Sequence, residues 1–507
     1  MTEQQKVKKK RSFPTAYTVL FIILIFAALL TWVIPAGSFE RLAYDAEAGH
    51  FIKTDAEGAE TVVEATQQNL DKLGITVPLE NFKNGKVYKP VAIPNSYKKI
   101  GRKPQGPVAV VMSMVTGLAE SIDIISFILI LGGLIGILNK TNTFAAGISA
   151  LSRKTKGKEY LLIVIITLLI TAGGTTFGMA EETIAFFPIL MPIFLASGYD
   201  AMVCIATIYL ASSVGTMFST TNPFSVVLAS NAAGISFTDG IAFRFISLVL
   251  ATLISLFYLM RYANKVKNDP SQSLLADEMP AIKERFLHNY DADAVIPFDW
   301  RKSLMLTLFG LGFPVMIWGV SSQGWWFNEL TTLFLCIGII CMIISGLSEK
   351  EAINTFIDGA AELISVALIV AVARAINIVM DAGMISDTIL QSASGIISGV
   401  NGVLFSTVQM ILFSFLGIFI PSSSGLATLS MPIVAPLADV VHVGRDVVVS
   451  AYNEGQGWMA FITPTGLILA VLELVDVSYD KWLKFVWPLM VVIGIFSVIM
   501  LALQTIM

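Results

Sequence analysis

The sequence predicts an all-α polytopic membrane protein made of two inverted-topology repeats, each with a re-entrant hairpin and a broken transmembrane helix. Three observations carry that prediction. The 507 residues are 55% hydrophobic and only 14% charged, whereas soluble chains run near ~25% charged. The apolar residues come in blocks of about twenty, one hydrocarbon thickness at ~1.5 Å per helical residue. Landmarks of the first half return in the second at nearly constant spacing. A net charge of −4 over such a chain suggests no nucleic-acid partner. Cys204, Cys336 and Cys341 all lie in apolar stretches, so neither a disulfide framework nor a zinc site is implied.

Residues 1–14 form a basic N-terminus with Lys6, Lys8, Lys9, Lys10 and Arg11, which positive-inside bias keeps cytoplasmic. Residues 15–35 are the first transmembrane helix, uncharged and lying between Pro14 and Pro35. The run is longer than a signal-peptide core, and further spans follow it. Residues 36–107 are polar and form an extracytoplasmic loop. Their ten Lys and Arg do not overturn the orientation, because the charge rule weakens for loops beyond ~60 residues. The shorter loops agree with it: Lys140, Arg153, Lys154, Lys156 and Lys158 cluster in one. Repeat 1 occupies 108–261, a cytoplasmic linker 262–300, connecting helices 301–346 (spans near 302–320 and 329–346) and repeat 2 347–507. The expectation is a multi-pass protein of the bacterial inner membrane, with the lipid bilayer as its surroundings and a homodimer as a candidate assembly.

The repeat rests on three landmarks in register. Gly117 and Glu120 match Gly359 and Glu362, an offset of 242. Met191-Pro192-Ile193 recurs as Met431-Pro432-Ile433, an offset of 240, and Asn222-Pro223 falls opposite Thr463-Pro464, an offset of 241. The Glu120 segment starts outside and the Glu362 segment inside, so the halves run in opposite directions, a recurring design of secondary transporters.

Each half contains two interruptions. Between apolar arms 160–172 and 184–197 lies TAGGTTFGMAEET, whose Gly173, Gly174 and Gly178 are poor mid-helix material. Its counterpart between 403–420 and 426–438 is Pro421-Ser422-Ser423-Ser424-Gly425. Each arm pair is either a re-entrant hairpin or two full spans around a loop, and the short 160–172 arm, about 20 Å by helical rise, favours hairpins. The next helix in each half breaks at Ser219-Thr220-Thr221-Asn222-Pro223 and at Thr463-Pro464-Thr465-Gly466, the latter preceded by Asn453, Glu454 and Gln456. A proline frees the carbonyl a turn earlier. In lipid, irregular backbone survives only where protein or a cavity receives it. One such break reads as a tolerated kink, but four, paired by the repeat, read as a midplane site. Hydroxyls, amide oxygens and freed carbonyls suit a dehydrated sodium ion, while half-helix N-termini suit a carboxylate.

The intramembrane charges sharpen this. Glu181 and Glu182 sit at the first tip, and Arg374, with Asn377 a turn further on, lies in the apolar run 363–380. A bare charge near the midplane costs at least ~2.5–3.5 kcal/mol on insertion scales, so such residues usually face a cavity. The competing reading of Arg374 is a structural ion pair with Asp381. Glu120, Asp123 and Glu362 read as solvated positions near helix ends. Carboxylates together with an arginine fit an amino acid better than a plain dicarboxylate. The expected substrate-binding set is Thr175, Thr176, Glu181, Glu182, Asn222, Arg374, Asn377, Ser422, Ser423, Ser424, Asn453, Thr463 and Thr465.

The opening FPTAYTVLFIILIFAALLTWVIPAGSF, the tip GGTTFGMAEE and the run VARAINIVMDAGMISDTIL resemble the YfcC-like membrane proteins, a group allied to arginine/ornithine antiporters and, more distantly, to DcuC-type C4-dicarboxylate carriers. The resemblance spans nearly the whole chain. It implies the ion-transporter superfamily architecture, in which two inverted repeats each contribute a hairpin and a broken helix. Similar folds in divalent-anion/sodium symporters hold sodium and substrate at Ser-Asn-Thr motifs on tips and breaks. By that likeness, sodium would lie near Gly174, Thr175, Thr221, Asn222, Ser423 and Thr463. No intact Ser-Asn-Thr triplet occurs here, so the resemblance does not fix the coupling ion or the substrate.

An enzyme is disfavoured because His50, His288 and His442 all fall in predicted loops. An ATP-driven pump is disfavoured by the lack of a G-x-x-x-x-G-K-[ST] phosphate loop. Broken helices also suit a channel, but paired hairpins in an inverted repeat favour alternating access. The expected activity is secondary transport of a small molecule, most naturally a basic amino acid, by exchange or coupled to Na+ or H+, with no other cofactor. A sodium- or proton-coupled C4-dicarboxylate carrier is the alternative.

Overall fold

The computed structural model describes residues 14–507 except 86, 88, 145, 148–157, 288–297, 324, 398–401 and 421. The basic N-terminal cluster, Arg153, Lys154, Lys156, His288 and Pro421 therefore lie outside the described residues. Helix α1 (Ala16–Val33) begins where the Thr15 hydroxyl accepts the Thr18 amide, and ends at Ile34 in extended backbone, as the following Pro35 favours. Six helices of the described residues are long and apolar enough to cross a membrane, α1 among them.

The polar segment that follows is not a plain loop. Strand β1 (Gly37–Ser38) pairs with β6 (Lys98–Lys99), while β2 (Arg41–Asp45), β3 (His50–Thr54), β4 (Glu60–Val63) and β5 (Val91–Ala92) form a sheet of order β4-β3-β2-β5. Short helices α2 (Gln67–Lys72) and α3 (Leu79–Lys83) pack on it. Its core is Leu42, Phe51, Leu70, Ile75, Val77, Phe82, Val87, Val91 and Ile93. The β2–β3 turn is fixed locally, because Asp45 Oδ1 accepts the amides of Glu47 and Ala48 and Gly49 takes φ +69°. The all-α expectation is corrected here: the chain is mostly helical and carries a small strand domain. Leu42 and Phe51 are the buried positions of β2 and β3, but both strands are short and polar and carry no clean two-residue alternation for the sequence to disclose.

Helices α4 (Pro107–Glu120) and α5 (Ile122–Lys140) are joined at the buried Ser121. Next come α6 (Tyr160–Phe177), a 3-10 turn Glu181–Phe186, α7 (Phe187–Ala196), α8 (Ala201–Met217, with a π-helical stretch at 206–210), a π turn Pro223–Val227 and α9 (Leu228–Ala232). Helix α10 (Ile241–Asn268) leads to α11 (Met279–Leu287), α12 (Trp300–Gln323) and α13 (Phe327–Ile344). The remainder is α14 (Glu349–Glu362), α15 (Ile364–Ala382), α16 (Ser386–Ile397), α17 (Gly402–Phe419), α18 (Ser423–Val440), α19 (Arg445–Ala460), α20 (Ile468–Leu474) and α21 (Tyr479–Ile506).

Two small-residue crossings set the packing. Helix α4 lies along α15 and α5 along α14, so the two pairs run antiparallel. A Cβ at Gly117 would come within 2.4 Å of the Ala371 carbonyl oxygen, and one at Gly359 within 2.5 Å of that of Gly132. Side chains there would hold the backbones apart. Likewise α6 lies along α8, with Gly174 against Gly215: a Cβ at Gly215 would meet the Thr171 carbonyl oxygen at 2.4 Å. Helix α6 therefore runs through Gly173 and Gly174 and stops only at Gly178, in the left-handed region at φ +76°. The arm expected over 160–172 is corrected to 18 residues, about 27 Å by helical rise.

Candidate functional site

The first tip and the first break meet. Thr175 is buried on α6; its hydroxyl accepts the Thr220 amide at 3.0 Å and lies 3.1 Å from the Thr220 hydroxyl. The Thr221 amide reaches the Thr175 carbonyl at 3.2 Å. Asn222 is buried, caps the π turn by accepting the Phe224 amide at 2.9 Å, and sits against Gly178. Thr175, Thr220, Thr221 and Asn222 thus form one polar knot. Gly174 contributes backbone packing, and its carbonyl accepts the Gly178 amide. Thr176 is exposed and bonds back to the Ala172 carbonyl.

Glu181 and Glu182 start the 3-10 turn. Glu182 is buried and folds back on its own tip, accepting the Ala180 amide at 3.0 Å. Glu181 instead lies in the electrostatic range of Arg374 and Asp123.

In the second half, the break after α19 meets the end of α17. The Thr465 hydroxyl donates to the Ile418 carbonyl at the end of α17 and lies 3.0 Å from the Thr463 hydroxyl. Ser422 caps α18 by accepting the Gly425 amide at 3.2 Å, and the Ser423 carbonyl accepts from the buried Tyr452 hydroxyl at 2.6 Å. Asn453 is buried on α19, and its Nδ2 has no partner. Asn453, Thr463 and Thr465 are not among the residues that line the cavity described next.

A cavity of about 480 Å³ opens between the second tip, α15 and the strand domain. Arg374, Asn377, Asp381, Ser386, Asp387, Ser422, Gly425 and Arg41 are among its lining. Arg374, Asn377 and Ser422 are thus brought together. Arg374 pairs with Glu120 at 3.7 Å, both partly exposed, which corrects the expected Asp381 partner. Asp381 sits a further two turns along α15, where the Ser386 hydroxyl lies at 3.5 Å. The Asn377 Oδ1 is buried and unpartnered. Arg41 forks onto Asp387 at 3.0 and 3.2 Å, and Asp387 also accepts the Phe39 amide at 2.9 Å.

Residues of the strand domain are the part sequence reasoning missed. Besides Arg41, Lys89 enters the second tip and donates to the Ser424 hydroxyl at 2.5 Å. Burial and, secondarily, the Arg374 charge hold its ammonium below the usual lysine range. A long polar segment reads as solvated, so no local signal marked these two cations. The paired tyrosines were more accessible: Tyr209 on α8 donates to the Ala460 carbonyl at 2.7 Å, and its counterpart 243 residues on is Tyr452. Among the described residues no group of three or more His, Cys, Asp or Glu side chains could hold a metal ion. A sodium site would therefore depend on the hydroxyl and carbonyl oxygens of the tips.

The model of the family described as "C4-dicarboxylate anaerobic carrier" (DcuC) matches residues 13–506. An uncharacterized protein of Haemophilus influenzae is 48% identical over 502 residues, 99% of both chains. YfcC of Escherichia coli, provisionally named a basic amino acid antiporter, is 30% identical over 95% of this chain and 94% of its own. Two solved transporters also align, MtrF of Neisseria gonorrhoeae over 98% of this chain and 96% of its own at 14% identity, and YdaH of Alcanivorax borkumensis over 97% and 98% at 13%. Both TM-scores are 0.39, a level that does not establish shared topology. A match over almost the entire length, joined to six membrane-length helices, means that this multi-pass membrane protein belongs to the DcuC family of carriers and is YfcC-like within it.

Proposed function

We propose that the chain is a secondary active transporter of amino acids, basic ones above all, working by exchange or ion-coupled alternating access. The observation that carries this reading is the mixed charge around one cavity: Arg374 and Arg41 face it beside Asp381 and Asp387, and Glu181 lies in the range of Arg374. A zwitterion with a cationic side chain needs both signs within one site. In this reading Arg374 meets the substrate carboxylate, and Glu181 or Asp381 meets an amino or guanidinium group. The likeness to YfcC supports it.

The two halves are read as inverted repeats. Supporting that are the antiparallel pairing of α4–α5 with α14–α15, the reciprocal contacts of Gly117 and Gly359, and the matched bonds of Thr221 to Thr175 and Thr465 to Ile418. Helices α6–α7 and α17–α18 would then be hairpins, and their movement against the rest would expose the site to each side in turn.

A C4-dicarboxylate reading has one observation in its favour. Lys89, Arg374 and Arg41 put three cations near the serine tip. Purified protein in proteoliposomes separates the two readings. Vesicles preloaded with arginine or ornithine are expected to take up labelled arginine, and vesicles loaded with malate or succinate are expected not to exchange it. Dicarboxylate uptake with arginine inert would sink the amino-acid reading. Under exchange, Glu181→Gln and Arg374→Gln should each reduce arginine uptake by about tenfold or more, the scale of one lost charged contact (~1.5–3 kcal/mol).

A further inference from the structure

A second polar cluster lies on the opposite side of α19 from the serine tip. Glu454 is 3% exposed, and among the described residues its Oε2 has no hydrogen-bond partner. Arg244, on α10, is 1% exposed; its Nη2 donates to the Phe237 carbonyl, while Nε and Nη1 have no partner among the described residues. The two charges interact electrostatically, with Ser497 of α21 beside Glu454. Neighbouring contacts fix that face of α19. One turn further, Trp458 donates to the Met490 carbonyl of α21 at 2.8 Å and packs on Gly494. Residue 452 is two positions from 454, about 200° around a helix, so Tyr452 holds the second tip from the other side.

Asp446 links this cluster to a neighbouring cavity. A cavity of about 430 Å³ is lined by Thr238, Gly240, Gly444, Asp446, Gln504 and Thr505, among others. Asp446 accepts from Gln504 at 2.7 Å and is a charge acting on Arg244. The cavity opens on the face that carries the strand domain, since the neighbouring Arg445 bonds Thr76 of that domain at 2.9 Å.

We propose that Glu454 is a proton-binding site, reached from that cavity past Asp446 and Arg244, whose occupancy the carrier couples to movement of the second tip. A buried carboxylate with an open oxygen beside an incompletely bonded arginine is costly as a purely structural device. It suits a group that alternates between charged and neutral forms. The step is transfer of one proton from hydronium to a Glu454 oxygen: an O–H bond of the hydronium breaks, an O–H bond forms on the carboxyl group, and a water molecule is left. Neutralising Glu454 releases its hold on Arg244 and alters how α19 sits between α21 and the serine tip. The groups that bear on it are the Arg244 charge on α10 and the Ser497 hydroxyl on α21, and Arg244 in turn feels Asp446 and Asp239. Of the other helices packed on α19, α17 contains no charged residue, α8 none beyond the titratable Cys204 and Tyr209, α18 only Asp439, paired with Arg445, and α21 only Asp480, Lys481 and Lys484 in its first two turns, more than three turns from Ser497.

The proposal rests on the chain being a coupled carrier, so one test uses no substrate. Infrared difference spectra of the purified full chain in lipid, titrated with acid, should show a protonated-carboxyl band that Glu454→Gln loses and Glu454→Asp retains. Arg244→Gln should move the pH midpoint of that band, and Arg244→Lys, which keeps the charge, should not. In the transport arm, Glu454→Gln should abolish labelled-arginine uptake driven by a pH gradient. A band unchanged in Glu454→Gln overturns the proposal even where arginine is carried. The band lost as expected, with arginine inert in the wild type, upholds the proton site and sinks the substrate reading alone. Thermal unfolding of both Glu454 variants identifies a misfolded one, and Arg244→Gln then decides.

Discussion

Lys89 places an ammonium against the serine tip, so a cationic substrate reaching Ser424 must share the site with a like charge. Removing it should therefore favour one substrate class and penalise the other. Lys89→Met is expected to lower the half-saturating arginine concentration severalfold, about 1 kcal/mol for one unit charge in a wet cavity. For a dicarboxylate the same variant should raise it. Glu40 makes a pH prediction at the same scale. Its carboxylate bonds Lys53 at 2.6 Å and Lys98 at 3.3 Å, which holds it below the 4.5 of a free glutamate. A depressed acid stabilises the fold fully above its unfolded pKa and loses that contribution as pH falls through the folded value. The strand domain should therefore lose stability below about pH 4.5, and Glu40→Gln should flatten that dependence, read by hydrogen exchange at Phe51 and Val91.

At the scale of elements, the close approach of α6 to α8 is the most exposed to a single atom. Gly215→Val, whose Cβ would meet the Thr171 carbonyl at 2.4 Å, should cost ~1–3 kcal/mol and lower the melting temperature. Gly310→Ala, inside α12 where a Cβ meets nothing within 4 Å, should not lower it and should raise it slightly, by up to ~1 kcal/mol of helix propensity. The same comparison shows what the sequence discloses. Apolar blocks, prolines and hydroxyl clusters disclosed the interruptions at Gly178, Ser219–Pro223 and Thr463–Gly466, because backbone chemistry is local. The continuation of α6 through Gly173 and Gly174 was hidden, since a glycine that breaks an isolated helix is the residue that lets two helices touch. Arg374 was marked by its charge, but its partner Glu120 was not, because 254 residues separate them and only packing joins them. The strands were masked because they are short, polar and without a clean two-residue alternation, in a segment read for charge.

The whole molecule is held on one face by the strand domain. Gly37 donates to Met384, Tyr97 meets Thr388, β5 packs on α18, Lys89 enters the second tip, and Thr76 meets Arg445. It therefore touches the end of α15 with α16 as well as the second tip and α19. Any movement of α18 against α15 must loosen part of this set. Cysteines at Tyr97 and Thr388, cross-linked by oxidation, are expected to keep the domain seated and to slow uptake, with reductant restoring it. Unchanged uptake in the cross-linked carrier would show that this attachment travels with the moving part.

That bridging arrangement makes the strand domain a handle on the transport cycle. A binder that recognises the domain only while it spans both attachments would favour that arrangement by its difference in affinity for the two states. It would arrest transport without entering the substrate cavity, and raising the substrate concentration would not displace it directly. The surface most open to an inhibitor is then the outer face of a soluble-type domain, rather than the charged cavity between that domain, α15 and the serine tip.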